Sequence, residues 1–396
     1  MLRLRLVLAV LLGGWFSCTV AAPSALRGDE ARSSSGEIEG SRYRVDFPEH
    51  WNGSLVLAAH GYLPAADVPL PDSWPRYEFT GLLLERGYAV ASVGYRRQGW
   101  ALAEGVDDTE ALRRLFVSRY GKPRRTFMIG SSMGGLVTIA SQESVPDGYD
   151  GALALCGAVA PADEGARDRI LGLLVAFDYF FPGHLVGAAQ GLASLDAPMD
   201  LSEPGLERAL AADPAKAELL ARRFGIRYED LAGHVRFYYV MLRELVARSG
   251  GFPVDNRELV YAGFGDDAAF NRGVRRYAAD PAALEYLRRH YTPSGRLAHP
   301  VLLVGTSYDP TVPAEAAERY LDLVRAAGNE SLVISRRVPG EGHCRFDADQ
   351  VGSAFDDLVG WVESGSAPST GSAVSTSDRS VQPPKAPVTA PASGTR

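Results

Sequence analysis

Four short apolar runs set the frame for this chain. Ser54–Ala59, Tyr88–Gly94, Thr126–Gly130 and Gly151–Cys156 are nearly continuous in aliphatic, small and aromatic residues. A strand with one wet face alternates in polarity, so unbroken runs of this length read as strands buried on both faces. The stretches between them, Arg76–Arg86, Glu104–Tyr120 and Met133–Ser144, carry the helical period, and the first two stop at Gly87 and Gly121. Arg42–Phe47 alternates and fits an edge strand. Strands and amphipathic helices in this alternation predict an α/β fold, with a mostly parallel, doubly wound sheet covered on both faces.

The alternation breaks after Cys156. From residue 157 to 298 the pattern is helical without a convincing strand, with candidates at Ala166–Phe181, Pro214–Phe224, Leu231–Ser249 and Ala282–Tyr291. Strand and helix then return as Val301–Gly305, Pro313–Ala327, Ser331–Ser335 and Phe346–Val362. The predicted organisation is a sheet domain in two parts, residues 41–156 and 299–364, interrupted by a helical cap at 157–298. The aromatic cluster Phe177–Phe181 reads as cap core rather than as a pocket lining.

The ends differ from the body. Arg3 and Arg5, the apolar run Leu6–Leu12 and the small residues Val20-Ala21-Ala22 have the order of a signal peptide, with cleavage expected after Ala22. The apolar run ends near Phe16, short of the ~20 residues that span a bilayer. Secretion or export to a periplasm is therefore expected, without stable membrane insertion after cleavage. Residues 23–40 read as a flexible leader. Residues 365–396 are Ser, Thr, Pro and Ala with few large apolar side chains, a composition that cannot offset the entropy of ordering. The formal net charge of −7 and the lack of a basic block argue against a nucleic-acid partner.

Chemistry enters with Gly130-Ser131-Ser132-Met133-Gly134, a G-x-S-x-G pattern with an apolar strand before it and a helix after it. A hydroxyl on such a turn needs a base to become a nucleophile. Of the seven histidines, His343 lies in a glycine-rich loop after the last strand, in the place that the order Ser…Asp…His requires. His50, His184, His234, His290 and His299 fall in a turn, in the insertion or at its end. Asp309 follows the strand Val301–Gly305 and is the expected acid, with Asp163 and Asp347 as rivals outside such a slot. The oxyanion donors expected are the amides of Met133, directly after the nucleophile, and of Tyr62, in the loop Ala59-His60-Gly61-Tyr62. His60 then has a structural role. No CxxC, HExxH or phosphate loop is present, so neither a metal nor a cofactor is expected.

Together, Ala59–Tyr62, Gly130–Gly135, Asp309 and His343 resemble the α/β-hydrolase superfamily over about residues 41–160 and 299–364. The surroundings of Trp51-Asn52-Gly53 and Gly340–Phe346 are similar to secreted bacterial serine hydrolases of the esterase and prolyl-oligopeptidase-like group. The resemblance implies the fold and a serine acyl-transfer mechanism and does not fix the substrate; the reaction expected is hydrolysis of a small carboxylic ester through an acyl-enzyme. The alternatives are a serine peptidase acting on short peptides and a non-catalytic binding protein of the same fold. One departure stands out. In tannase and feruloyl-esterase relatives, cysteines adjoin both triad Ser and His and bond to each other; here Cys344 follows His343 but Ser131 precedes Ser132. Cys156 then either bonds to Cys344 and holds the His343 loop, or the two are separate buried thiols.

Overall fold

The computed structural model describes residues 32–64, 74–185, 191–192 and 202–369. The expected signal peptide and most of the expected tail lie outside them. Strands β1 (Arg32–Ile38), β2 (Ser41–Phe47) and β3 (Leu55–Ala59) are followed by helix α1 (Thr80–Glu85), β4 (Ala89–Val93) and α2 (Leu102–Tyr120). Then come β5 (Thr126–Ser131), α3 (Met133–Ser144) and β6 (Gly151–Leu155). The insertion holds α4 (Ala162–Gly165), a π-helical turn Ala166–Leu171, α5 (Gly172–Phe180), α6 (Glu203–Ala212), α7 (Pro214–Phe224), α8 (Tyr228–Ser249), α9 (Asp267–Gly273) and α10 (Pro281–Tyr291). The chain returns to the sheet with β7 (Val301–Tyr308), α11 (Glu315–Ala326), β8 (Val333–Glu341) and α12 (Ala348–Ser364).

The strands form one sheet in the order β1-β2-β4-β3-β5-β6-β7-β8. β1 and β2 pair antiparallel with each other, β2 pairs antiparallel with β4, and every other pair is parallel. The period of two decides the core. Leu55, Leu57 and Ala59 face the helices α2 and α3, and their hydrophobic cluster runs without a break into α5 and α8. Val56 and Ala58 face the opposite cluster, which Leu83 of α1 and Phe355 and Leu358 of α12 complete. The insertion is thus packed on the core. An ion pair of low exposure, Arg248 Nη1 to Glu104 Oε1 at 3.0 Å, joins α8 to α2. The cluster at Phe177–Phe181 belongs to this core, with Phe177 and Phe181 buried.

The order in which strands are added reverses at β3, with β4 on one side and β5 on the other, both parallel to it. Parallel α/β sheets gather ligands outside the carboxyl ends of their strands at such a switch point. The Tyr62 loop follows β3 and Ser132 follows β5, so both lie there.

Several sequence readings need correction. Residues 32–38 belong to the sheet and not to a flexible leader. Glu39 and Gly40 both take positive φ, 50° and 83°, and form the two-residue turn that joins β1 to β2. The strand is polar because it is an edge held by its partner: Ser33 Oγ donates to Asp46 at 2.6 Å and accepts from Arg44 at 2.6 Å. The helix expected at Arg76–Arg86 begins only at Thr80, whose N–H and hydroxyl both bond the Tyr77 carbonyl. β8 runs on to Glu341 through Pro339, which an edge strand tolerates because one side of it needs no donor. α6 and α9 were not legible as helices. No helix among the described residues is long and apolar enough to cross a membrane.

Candidate active site

Ser132 sits between β5 and α3 with φ 58° and ψ −122°, a region that a side chain rarely takes. The turn holds because glycines surround it. A Cβ on Gly130 would overlap the Gly134 backbone, and one on Gly134 would overlap the Ala59 carbonyl. A Cβ on Gly135 would come within 2.7 Å of Gly157 Cα, so α3 could not lie so close to the end of β6. The Ser132 N–H bonds the Leu155 carbonyl at 2.9 Å, which fixes the elbow to β6. The Ser131 side chain points away, bonding Tyr77 and Glu78 at 2.8 and 2.9 Å.

Three distant side chains meet at this elbow. His343 Nε2 lies 2.8 Å from Ser132 Oγ, and Nδ1 lies 2.7 Å from Asp309 Oδ2. Beside a carboxylate Nδ1 donates, so Nε2 is left to accept the serine proton. The other Asp309 oxygen accepts the N–H groups of Thr311 and Val312 at 2.9 and 2.8 Å. The carboxylate is buried and fully engaged. Of the rival acids, Asp163 pairs with Arg288 at 3.0 Å and Asp347 caps α12 in a box with Gln350.

Cys344 is bonded to Cys156, with Cα atoms 5.4 Å apart, and its Sγ lies 3.5 Å from His343 Nε2. Cys156 directly follows Leu155, the acceptor of the Ser132 N–H. The disulfide therefore links the strand beside the elbow to the histidine loop.

Met133 opens α3, so its N–H has no partner within the helix. Tyr62 lies two residues after the half-buried His60. The His60 ring stacks on Tyr95 with centroids 3.9 Å apart, meets Trp74 edge-on at 4.7 Å, and donates from Nδ1 to the Gly61 carbonyl at 2.7 Å. Burial pushes its pKa down to about 4, so the ring is neutral at neutral pH. The Tyr62 ring packs on Phe237 of α8, with centroids 5.6 Å apart.

Sequence reading missed the partners of the Asp309 loop. Arg169, His234 and Tyr238 of the insertion all bond Pro310 or Thr311. With Arg169 and Pro310 standing 141 positions apart, no spacing rule could have pointed to this contact.

No protein-family model matches the chain. An o-phthalyl amidase of Xanthobacter agilis is 30% identical over 120 residues, which cover 30% of this chain and 25% of the amidase. The match therefore spans a quarter of that relative's length. Among solved structures, an esterase of Pyrococcus furiosus is similar with a TM-score of 0.44 and 15% identity, over 84% of this chain and 90% of that one. A puromycin-hydrolyzing peptidase of Mycobacterium tuberculosis gives 0.44 and 15%, over 84% of this chain and 39% of that one. A 2-hydroxy-6-oxo-6-phenylhexa-2,4-dienoate hydrolase of Rhodococcus gives 0.43 and 16%, over 83% and 99%. The strand order, the strained serine between β5 and α3, and the acid and histidine loops after β7 and β8 make this chain an α/β-hydrolase-fold protein.

Proposed function

We propose that the chain is a serine hydrolase that cleaves a small carboxylic ester through an acyl-enzyme intermediate. The observation that carries this reading is the unbroken line from Ser132 Oγ through His343 to Asp309, with both contacts under 3 Å. In the first half, His343 Nε2 takes the hydroxyl proton as Oγ attacks the carbonyl carbon. Asp309 holds the ring and stabilises the imidazolium. The amides of Met133 and Tyr62 receive the developing oxyanion. His343 then protonates the departing alcohol, and the acyl group stays on Ser132. In the second half His343 Nε2 takes a proton from water as the water oxygen attacks the acyl carbon, and it returns that proton to Ser132 Oγ as the acyl–oxygen bond breaks and the carboxylic acid leaves. The helical insertion acts as a cap over this edge of the sheet.

A second reading, hydrolysis of an amide or short peptide, is favoured by the identity to an o-phthalyl amidase. The chemistry is the same and only the leaving group differs. Export fits the Cys156–Cys344 bond, since such bonds persist in oxidising compartments.

The test compares nitrophenyl esters of varied acyl length with aminoacyl and aryl-acyl nitroanilides, and adds a fluorophosphonate probe. Ester turnover with label on Ser132 supports the first reading, and turnover of anilides alone supports the second. Absence of both turnover and label ends the hydrolase reading and leaves a binding protein.

A further inference from the structure

We propose that Arg169 and Tyr238, both in the β6–β7 insertion, are positioning residues that hold the Asp309 loop and so govern how His343 works. The inference rests on the acyl-transfer reading above. Pro310 and Thr311 directly follow Asp309, and their carbonyls turn toward the insertion. The Pro310 carbonyl accepts from Nη2 of Arg169, and the Thr311 carbonyl accepts from the Tyr238 hydroxyl at 3.1 Å. Arg169 Nε donates to that same hydroxyl at 2.9 Å, and Nη1 donates to the Phe224 carbonyl at 2.7 Å. The guanidinium is thus anchored on α7 while it grips the acid loop.

The same loop is held on its other flank. The Tyr308 hydroxyl donates to Asp230 Oδ2 at 2.7 Å and accepts the Arg227 N–H at 2.9 Å. Arg227 also lies over the Tyr308 ring at 4.1 Å and pairs with Glu341, two residues before His343, at 3.0 Å. The Thr311 hydroxyl meets His234 Nε2 at 3.1 Å, and His234 Nδ1 donates to the Asp230 carbonyl at 2.7 Å. Asp230, His234 and Tyr238 are spaced four residues apart along α8, so one helix face carries three contacts to residues 308–311.

These contacts reach the reacting line through Asp309 itself. Its Oδ1 accepts the Thr311 and Val312 amides, so a shift of Thr311 rotates the carboxylate away from Nδ1. An imidazole without an aligned carboxylate is held in neither the correct tautomer nor the correct direction. Tyr238 is buried, so its bond to Thr311 does not compete with solvent. The insertion thus supplies orientation to the acid as well as covering the site.

The test uses the full chain, Tyr238→Phe and Arg169→Lys, assayed with the best wild-type substrate across pH. The expected result is a fall in kcat of roughly ten- to a hundredfold, part of the roughly 10⁴-fold that a misplaced acid costs, with KM changed by less than about twofold. The acid limb of kcat/KM moves to lower pH, because an imidazolium without its aligned carboxylate forms less readily. Folded Tyr238→Phe with unchanged kcat and an unmoved acid limb overturns the proposal. So does a loss that raises KM and leaves the acid limb in place, which is the mark of a purely structural role. If Arg169→Lys does not fold, Tyr238→Phe, which removes one oxygen, still separates positioning from a structural role. A wild-type chain that neither turns over an ester or amide nor takes the fluorophosphonate label refutes the acyl-transfer reading instead, before any variant is made.

Discussion

Cys156 and Cys344, separated by 188 residues in sequence, are bonded to each other, and each stands next to a residue that bears on the Ser132–His343 pair. Cys156 follows Leu155, whose carbonyl accepts the Ser132 N–H, and Cys344 follows His343. Cutting this bond frees the histidine loop from the strand that fixes the elbow. Cys156→Ser is expected to lower stability by about 2–5 kcal/mol, as loss of a long-range cross-link does. Activity should fall more steeply with temperature than in the wild type. Thermal unfolding and rate measurements with and without a thiol reductant check this; identical behaviour of reduced and oxidised enzyme refutes it.

Asp309→Asn keeps the size of the side chain but removes its charge. The amide can present an N–H to Nδ1, which turns the ring to the wrong tautomer. The expected loss in kcat is about 10⁴-fold, with little change in melting temperature. Steady-state kinetics beside a thermal melt test it. A loss below tenfold would assign the acid to another residue.

Gly134→Ala tests the elbow. The new methyl would have to share space with the Ala59 carbonyl, which belongs to a central strand and cannot retreat. The expected cost is roughly 3 kcal/mol or more, at the upper end for overpacking. Poor soluble yield or a much lower denaturation midpoint is the anticipated outcome. A normally stable variant would show that the strand ends are looser than their packing implies.

His60 makes stability depend on pH. Its folded pKa, about 4, lies below the ordinary value of 6.5 because the ring is buried. The neutral ring therefore favours the fold. This contribution is complete above about 6.5 and is lost as pH falls through 4, to the extent of ~3 kcal/mol. His60→Leu should flatten that part of the profile. Urea unfolding midpoints between pH 4 and 7 decide the matter, and parallel slopes for the two proteins would remove His60 as the cause.

Much of the sheet was readable because buried parallel strands leave a continuous apolar signal. Leu55–Ala59, Ala89–Val93 and Gly151–Leu155 all fall inside runs visible in the sequence. Ser132, Asp309 and His343 could be named because each sits at a strand end in a fixed chain order. The polar strand Arg32–Ile38 carried no such signal, since its ladder bonds come from the backbone and its Ser33 hydroxyl bonds Arg44 and Asp46 rather than a hydrophobic core. The contacts of Arg169 and Tyr238 with residues 310 and 311 were equally hidden. They depend on where the insertion comes to rest, and local pattern says nothing of that.

Ser132 and His343 stand 211 positions apart, and that distance also imposes a timetable. A ribosome releases the serine segment long before the imidazole segment exists, and β7 and β8 can join only at the edge that β6 leaves open. Until the last strand docks, the hydroxyl has no proton acceptor and is as inert as any other serine. On the acyl-transfer reading, the chain therefore gains its nucleophile only when its last strand is in place.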